Sequence, residues 1–225
     1  LDKKSRIPAN DQAAEKAGIT MAAVHAFMDD RKIPRLLQAI TESGARIASI
    51  VDNMLSFSRK SEASFQKHDP AELIDKVIEL ASSDFDLKKH FDFKSIQIVK
   101  DYPGNLPEIE CEKGKIQQVL LNIFSNGAHA MARTKDPQFV IRLACAPGSG
   151  LLKIEIQDNG PGMDAAVQKR IFEPFFTTKA VGVGTGLGLS VSYFIVTDQH
   201  RGTMDVVSTP GKGTCFVIQL PVKRG

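Results

Sequence analysis

The sequence has no tryptophan, only two tyrosines and three cysteines among its 225 residues. Cys111, Cys145 and Cys215 are odd in number, far apart and in apolar contexts, which favours buried free thiols in a reducing compartment over a disulfide or metal framework. No apolar run approaches the ~20 residues that a membrane span needs, and no apolar segment typical of a secretory signal follows the first residues. The net charge of +3 is too small to argue for nucleic-acid or membrane binding.

Two regions of different pattern divide the chain, and we expect a first domain over 1–66 and a second over 67–225. From Ile33 to Ser58, apolar or small residues recur at alternating steps of three and four, which predicts a long helix with a heptad seam over about 31–64. The sequence contains no second heptad seam of equal length. We therefore interpret the predicted helix as one arm of a helical hairpin or dimer bundle; a helix packed on its own domain is the alternative. Residues 1–30 are polar, and we expect a weakly ordered start with helical pattern only from about Asp11.

The second region mixes strand and helix patterns and predicts an α+β fold, a two-layer sandwich. Asp69 followed by Pro70 and Glu72 is typical of a helix start. The predicted helices cover 70–82, 113–132 and 185–197, and the predicted strands cover 96–99, 139–144, 151–157, 202–207 and 214–220. Glycine turns at 147–150 and 210–213 indicate antiparallel hairpins.

Asn122 and Asn126 are four residues apart, so they lie on one face of the predicted 113–132 helix and border its apolar side. Buried amides need hydrogen-bond partners. One interpretation is that the two amides cap each other inside the protein. The other is that their oxygens hold a hard cation such as Mg²⁺, which takes oxygen ligands and keeps water and phosphate in its shell.

The segment Asp158-Asn159-Gly160-Pro161-Gly162-Met163 ends an alternating strand and begins a tight turn. A carboxylate only accepts hydrogen bonds, so Asp158 suits an exocyclic amino group such as that of adenine. Gly160 and Gly162 let the backbone approach a ligand closely. The alternative is an ordinary turn built from Asp-Asn-Gly.

A glycine-rich segment, Gly182-Val183-Gly184-Thr185-Gly186-Leu187-Gly188-Leu189-Ser190, precedes the predicted 185–197 helix. Its backbone amides suit an anion such as phosphate, although the spacing is neither that of a P-loop nor that of a dinucleotide fold. The alternative is a flexible loop, and a movable lid agrees with both interpretations. Before it lie Phe172, Phe175 and Phe176, which are typical of a core cluster, and then Thr177-Thr178-Lys179.

These segments, in this order, resemble the nucleotide-binding domain of sensor histidine kinases, in the superfamily that includes gyrase, the Hsp90 chaperones and MutL. The resemblance covers about 33–222. It rests on Asn122–Asn126 (N box), Asp158–Gly162 (G1), Phe172–Phe176 (F box), Gly184–Gly188 (G2), the turn 210–214, and 47–59, which resembles the second helix of the dimerisation and phosphotransfer hairpin. It implies a Bergerat-type ATP-binding fold preceded by that helix. Gly127 stands where alanine is usual, which should only loosen the helix slightly.

The resemblance also implies roles for individual residues. Asn126 would bind Mg²⁺ with support from Asn122, Asp158 would take the adenine amino group, and Gly162 would lie beneath the ring. His129 and Lys179 are candidates for phosphate contact, although a partly exposed helix histidine is an equal alternative for His129. The remaining implied ATP-binding residues are Gly160, Gly184, Thr185, Gly186, Leu187, Gly188 and Thr214.

Relatives that hydrolyse ATP place a glutamate at the position of Asn122, and asparagine lacks the basicity to activate water. The resemblance therefore implies a kinase that positions ATP·Mg²⁺ for transfer to another nucleophile, a histidine, and onward to an aspartate of a response-regulator receiver domain. The alternatives are a serine-directed kinase of the superfamily and a non-catalytic nucleotide-sensing scaffold. We expect a homodimer in the full-length protein, no nucleic-acid partner and a cytoplasmic kinase portion, with any membrane contact made only through regions absent here.

None of the five histidines begins a His-Glu/Asp-x-x-x-Pro pattern, which is what the acceptor requires. The chain starts with Leu1 rather than methionine. We therefore expect that the chain is a piece of a longer protein and that the acceptor lies upstream, so that this fragment alone does not autophosphorylate. An atypical acceptor at His25 is the alternative.

Overall fold

The computed structural model describes residues 7–41, 43, 44, 47, 65–83, 93–146, 148–179 and 184–223. The chain divides into two compact units, Leu1–Asp52 and Asn53–Gly225. The domain boundary after residue 66 stays a prediction. Most of the predicted 31–64 helix and of the 47–59 segment lies outside the described residues.

The first unit begins with two helices, α1 (Pro8–Lys16) and α2 (Met21–Asp30), and residues 33–41 are also helical (α3). We expected little regular structure before Asp11, whereas α1 already begins at Pro8. Proline suits the first turn of a helix because its missing N–H has no partner to lose there. The Thr20 hydroxyl accepts from the Ala23 N–H at 3.2 Å and caps α2. Apolar residues of the predicted seam, among them Leu37, Ile40 and Ile47, are exposed.

The second unit is built on a five-stranded sheet in the order β2-β4-β5-β7-β6. Its strands are β2 (Gln97–Asp101), β4 (Gln138–Cys145), β5 (Leu151–Asp158), β6 (Thr203–Thr209) and β7 (Gly213–Pro221). β2 and β4 are parallel and the other neighbours are antiparallel. A separate two-stranded sheet pairs β1 (Gln66–His68) with β3 (Ile109–Cys111), and sequence patterns predicted neither of these short strands.

The helices of this unit are α4 (Pro70–Ser83), α5 (Lys113–Ala130), α6 (Ala165–Gln168) and α7 (Gly188–Phe194), which continues as a π-helix over Ile195–Gln199. As predicted, the Asp69 side chain caps α4, since its Oδ1 accepts from the Ala71 N–H at 2.7 Å. Alternate residues of β4 and β5 are buried in one core together with α4 and α5. The predicted two-layer α+β sandwich is therefore confirmed.

Three phenylalanines hold α5 against the sheet. The Phe124 ring packs edge-on against Phe139 with centroids 5.3 Å apart, and Phe93 lies 6.1 Å from Phe139. A Cβ on Gly127 would lie 2.5 Å from the Phe139 ring. The expectation that Gly127 only loosens the helix was therefore incomplete, because the close approach of α5 to β4 requires glycine there.

All three cysteines are free, and Cys111 is buried, as predicted. Burial raises the pKa of the Cys111 thiol to about 11. Cys145 and Cys215 are only half-buried: Cys145 is the last residue of β4, and Cys215 lies on the face of β7 opposite Phe216 and Ile218. Over the described ranges, no cluster of three His, Cys, Asp or Glu side chains suits a metal ion, and no helix has the length and apolarity to cross a membrane.

Candidate functional site

A cavity of about 510 Å³ opens in the second unit beside α5, the turn after β5 and the start of α7. All the predicted site residues line this cavity except Gly160 and Leu187. The lining members of the predicted set are Asn122, Asn126, His129, Asp158, Gly162, Lys179, Gly184, Thr185, Gly186, Gly188 and Thr214. Gly182 lies outside the described residues.

Asp158, the last residue of β5, lines the cavity and is only 5% exposed. Its Oδ1 accepts from the backbone N–H of Gly160 at 2.9 Å and of Thr214 at 3.3 Å. Burial raises the pKa of Asp158, and these two hydrogen bonds oppose that rise without cancelling it. Gly160 does not line the cavity. Instead, its backbone N–H holds the Asp158 carboxylate in place.

The turn after β5 and the turn between β6 and β7 pack against each other with no room for a side chain at Gly162 or Gly213. Gly162 has φ +69°, and a Cβ there would lie 2.1 Å from the Thr209 carbonyl oxygen. Gly213 has φ +90°, and its Cβ would lie 2.0 Å from the Asp158 carbonyl oxygen. The Gly211 N–H also donates to the Pro161 carbonyl at 2.7 Å. These glycines therefore fix the backbone around Asp158.

Asn122 connects α5 to the start of α7. Its Nδ2 donates to the Gly188 carbonyl at 3.0 Å and to Ser192 Oγ at 3.1 Å. The fully buried Ser192 hydroxyl donates to the same Gly188 carbonyl at 2.8 Å. The side-chain amides of Asn122 and Asn126 both have hydrogen-bond partners within the protein, but the two amides are not hydrogen-bonded to each other.

The Asn126 side chain lies one turn further along α5 and contacts a cation. Lys179 Nζ donates to Asn126 Oδ1 at 3.0 Å. Lys179 is half-buried, and burial lowers the pKa of its ammonium group. The amide oxygen of Asn126 is thus aimed at a place in the cavity where a positive charge already lies.

The glycine-rich segment is tied to the phenylalanine cluster at its base. The Phe175 N–H donates to the Gly186 carbonyl at 2.9 Å, and a Cβ on Gly186 would lie 2.4 Å from the Phe175 backbone. Both Phe175 (φ +66°) and Gly186 (φ +68°) are in the left-handed region. A residue with the backbone of Gly186 cannot belong to a right-handed helix. The helix α7 therefore begins at Gly188, whereas the sequence predicted a start at Thr185.

The phenylalanines of this cluster do not share one environment. Phe172 and Phe176 pack against the core, as predicted, whereas the Phe175 ring is 62% exposed. Leu187, just before α7, is buried and does not line the cavity.

His129 lines the cavity, while the other histidines that the structure describes, His25, His68 and His200, do not. His200 is buried: its Nε2 accepts from the Glu112 N–H at 3.1 Å, and its Nδ1 lies 2.8 Å from the Ile195 carbonyl. His68 lies on β1, where a connection was predicted, and His25 lies on α2. His90 lies outside the described residues.

Sequence reasoning missed two serines that support the site. Ser192 holds Asn122, and its position one helical turn after Gly188 was the signal available for it. Ser208 Oγ accepts from the Met163 N–H at 2.8 Å and joins the turn after β5 to Gly213 and Thr214. Nothing in the sequence around Ser208 indicated these contacts, because Met163 comes from a distant segment and the contacts with Gly213 and Thr214 depend on how the β6–β7 hairpin folds.

The model of the family "Histidine kinase-, DNA gyrase B-, and HSP90-like ATPase" matches residues 111–224. The sensor histidine kinase ZraS of Klebsiella oxytoca is 34% identical over 193 residues, which are 86% of this chain and 39% of ZraS. The chain thus spans well under two thirds of that curated relative.

Two solved structures share the fold. Full-length ShkA in complex with AMPPNP has a TM-score of 0.66 and 27% identity, and the match covers 82% of this chain and 37% of ShkA. The histidine kinase ThkA in complex with the response regulator protein TrrA has a TM-score of 0.63 and 24% identity, and the match covers 81% of this chain and 49% of ThkA.

Proposed function

The chain belongs to the family of histidine kinase-, DNA gyrase B- and HSP90-like ATPases, and we propose that it is the ATP-binding catalytic region of a two-component sensor histidine kinase. The observation that carries this proposal is the single cavity that Asn126, Asp158 and the glycines of the 184–188 segment line together. The homology to ZraS supports the assignment to sensor kinases.

We assign the adenine ring to the end of the cavity that contains Asp158. Both backbone hydrogen bonds fall on Oδ1 of this carboxylate, which leaves Oδ2 to accept from the 6-amino group of adenine. Gly162 would lie beneath the ring, with its backbone fixed there by close packing on the Thr209 carbonyl. Gly160 acts by holding the carboxylate, and Thr214 lines the same end of the cavity.

We assign the phosphates to the end near the glycine-rich segment. The backbone amides of Gly184, Thr185, Gly186 and Gly188 are the hydrogen-bond donors assigned to the phosphates. The buried Leu187 contributes indirectly, because its N–H donates to Thr185 Oγ1 at 3.3 Å. Lys179 and His129 line the cavity near Asn126 and supply the positive or polar groups that phosphate oxygens need. Asn122 keeps the start of α7 in position through Gly188.

The residues present fit a magnesium ion bound together with the nucleotide. Asn126 Oδ1 already accepts from a cation, and a single protein oxygen is enough for an ion that keeps waters and phosphates as its other ligands. When bound, Mg²⁺ would neutralise charge on the phosphate oxygens. Lys179 must then leave Asn126, and the phosphates are the nearest anions that it would meet.

In the proposed reaction an imidazole nitrogen of the acceptor histidine attacks the γ-phosphorus in line. The N–P bond forms as the bond from phosphorus to the β,γ-bridging oxygen breaks, ADP leaves with the electron pair, and the imidazole loses its proton. Asn122 is no base, and its amide is held by Gly188 and Ser192, so this residue does not activate water. An aspartate carboxylate of a response regulator then takes the phosphoryl group, a partner suggested by the complex of ThkA.

The proposal is tested by titrating this chain with a non-hydrolysable ATP analogue, with and without Mg²⁺. Binding that Mg²⁺ strengthens is the expected result. A histidine-containing helical hairpin supplied in trans should then be phosphorylated from ATP, and a receiver domain should take up the phosphate. No binding of the analogue at millimolar concentration would overturn the proposal.

Replacing Asn126 with alanine is expected to remove most of the strengthening of ATP-analogue binding by Mg²⁺ while leaving the metal-free affinity less affected. The reason is that the substitution deletes the amide oxygen assigned to the ion and leaves the adenine end intact. Calorimetric titrations of both proteins, with and without Mg²⁺, give the two ratios. Asn105→Ala, at an exposed turn, is the matched control. An unchanged Mg²⁺ effect in Asn126→Ala would contradict the assignment.

As the pH decreases, the affinity for adenine nucleotides is expected to fall. This fall should occur at a higher pH than it would if Asp158 were an exposed aspartate. Burial raises the pKa of Asp158 above its ordinary 3.8, so the accepting carboxylate is fully present only above this raised pKa and is lost as the pH falls through it. ADP titrations across the acid range, within the range where the fold persists, measure this. Asp158→Asn should lack the transition. Constant affinity down to the ordinary pKa would be the contrary result.

A further inference from the structure

Ser208 of β6 makes more hydrogen bonds than one hydroxyl hydrogen can donate, and this fixes their directions. A serine hydroxyl has one donor hydrogen and two acceptor lone pairs. Ser208 Oγ lies 2.9 Å from the Gly213 carbonyl oxygen, which can only accept, so the serine hydrogen is committed there. Ser208 Oγ accepts from the Met163 N–H at 2.8 Å, which uses one lone pair.

The remaining contact of Ser208 therefore determines what Thr214 can do. Thr214 Oγ1 lies 2.9 Å from Ser208 Oγ. Since the serine hydrogen is already used, Thr214 must be the donor, and its hydroxyl hydrogen points to Ser208 rather than into the cavity. Thr214 is 7% exposed and lines the cavity, so its oxygen faces a ligand only as an acceptor.

We propose that Ser208 is a positioning residue that makes the ring-binding end of the cavity select a 6-amino purine over a 6-oxo purine. This inference rests on the proposed nucleotide site. With Ser208 in place, Asp158 and Thr214 both offer acceptors, which match the amino group of adenine. The 6-carbonyl oxygen of hypoxanthine or guanine would meet only lone pairs there, and an unpaired polar group in a buried site is costly.

A hydrogen-bond chain keeps Ser208 in this geometry. Gln168 Nε2 donates at 3.0 Å to the backbone carbonyls of both Ser208 and Met163. The Thr214 N–H in turn donates to Asp158 Oδ1. The serine thus joins the turn after β5 to the turn between β6 and β7 at the point where the two acceptors meet.

The test compares the affinities of ADP and inosine diphosphate, which differ at the 6-position of the ring. In Ser208→Ala the Thr214 hydroxyl becomes free to rotate and to donate to a 6-carbonyl oxygen. The preference for ADP over inosine diphosphate is then expected to fall about tenfold, the effect of one hydrogen bond of ordinary strength. Ser208→Thr keeps the hydroxyl, suits a strand, and should restore the preference.

A second background separates selectivity from loosening of the turns. In Thr214→Ala the hydroxyl that Ser208 orients is gone. The double variant Thr214→Ala/Ser208→Ala should therefore show the same preference for ADP over inosine diphosphate as Thr214→Ala alone. If Ser208→Ala lowers the preference equally in both backgrounds, Ser208 acts through turn structure and the inference is wrong. If Ser208→Ala leaves the preference of an ADP-binding protein unchanged, the inference also fails while the nucleotide site persists. If the unmodified chain binds neither nucleotide, the proposed function fails, and with it the inference.

Discussion

Asp158→Ala is expected to weaken ADP binding by about a hundredfold or more, the effect of losing a hydrogen bond to a charged acceptor in a buried site. The carboxylate is the charged acceptor assigned to the adenine amino group. Its removal also leaves the N–H groups of Gly160 and Thr214 without their acceptor, so the two turns that frame the ring lose a shared anchor. Calorimetric titration with ADP measures the effect.

Two variants make this result specific. Asp205→Ala removes a carboxylate from an exposed position on β6 and should leave ADP affinity unchanged. Asp158→Asn keeps the shape and an oxygen but removes the charge, and we expect an affinity between that of Asp158→Ala and that of the unmodified chain. Unchanged affinity in a folded Asp158→Ala protein would end the assignment of adenine to this end of the cavity.

Gly162→Ala is expected to lower the free energy of unfolding by more than the ~1–2 kcal/mol that a left-handed backbone costs an alanine. At φ +69° the new Cβ would lie 2.1 Å from the Thr209 carbonyl oxygen, so the turn after β5 must move away from the turn between β6 and β7. Because this movement displaces Asp158 and Thr214 relative to each other, ADP binding should be lost as well. Urea unfolding and ADP titration measure the two effects.

Gly211→Ala is the matched control for Gly162→Ala. Gly211 has a similar positive φ of +78°, but a Cβ there meets nothing within 4 Å. Its substitution should therefore cost only the backbone term of ~1–2 kcal/mol and preserve ADP binding. Equal losses of stability in the two variants would show that the close packing of the two turns is not what requires glycine at 162.

The long elements were predictable from sequence because local pattern and burial agree in them. The apolar face of α5 and the alternation in β4 and β5 predicted those elements to within a few residues. The short β1 and β3 were missed because three residues carry no measurable period and their pairing is distant in sequence. The start of α7 was misplaced because the left-handed backbone of Gly186 comes from its packing on Phe175, a tertiary contact that the local sequence pattern does not show.

The sequence by itself determined the residue types of the site and their order, since carboxylate, amide and glycine chemistry is local to each motif. It therefore predicted Asp158, Asn126 and the glycine-rich segment as members of one nucleotide site, and Asp158, Asn126 and the described glycines of that segment line one cavity. Only the tertiary structure decided which of these groups have hydrogen-bond partners and which partner is the donor. Lys179 and Asn126 are more than forty residues apart in the sequence, and the three hydrogen bonds of Ser208 reach partners up to forty-five residues away. The direction of each hydrogen bond also depends on all the partners of an atom at once.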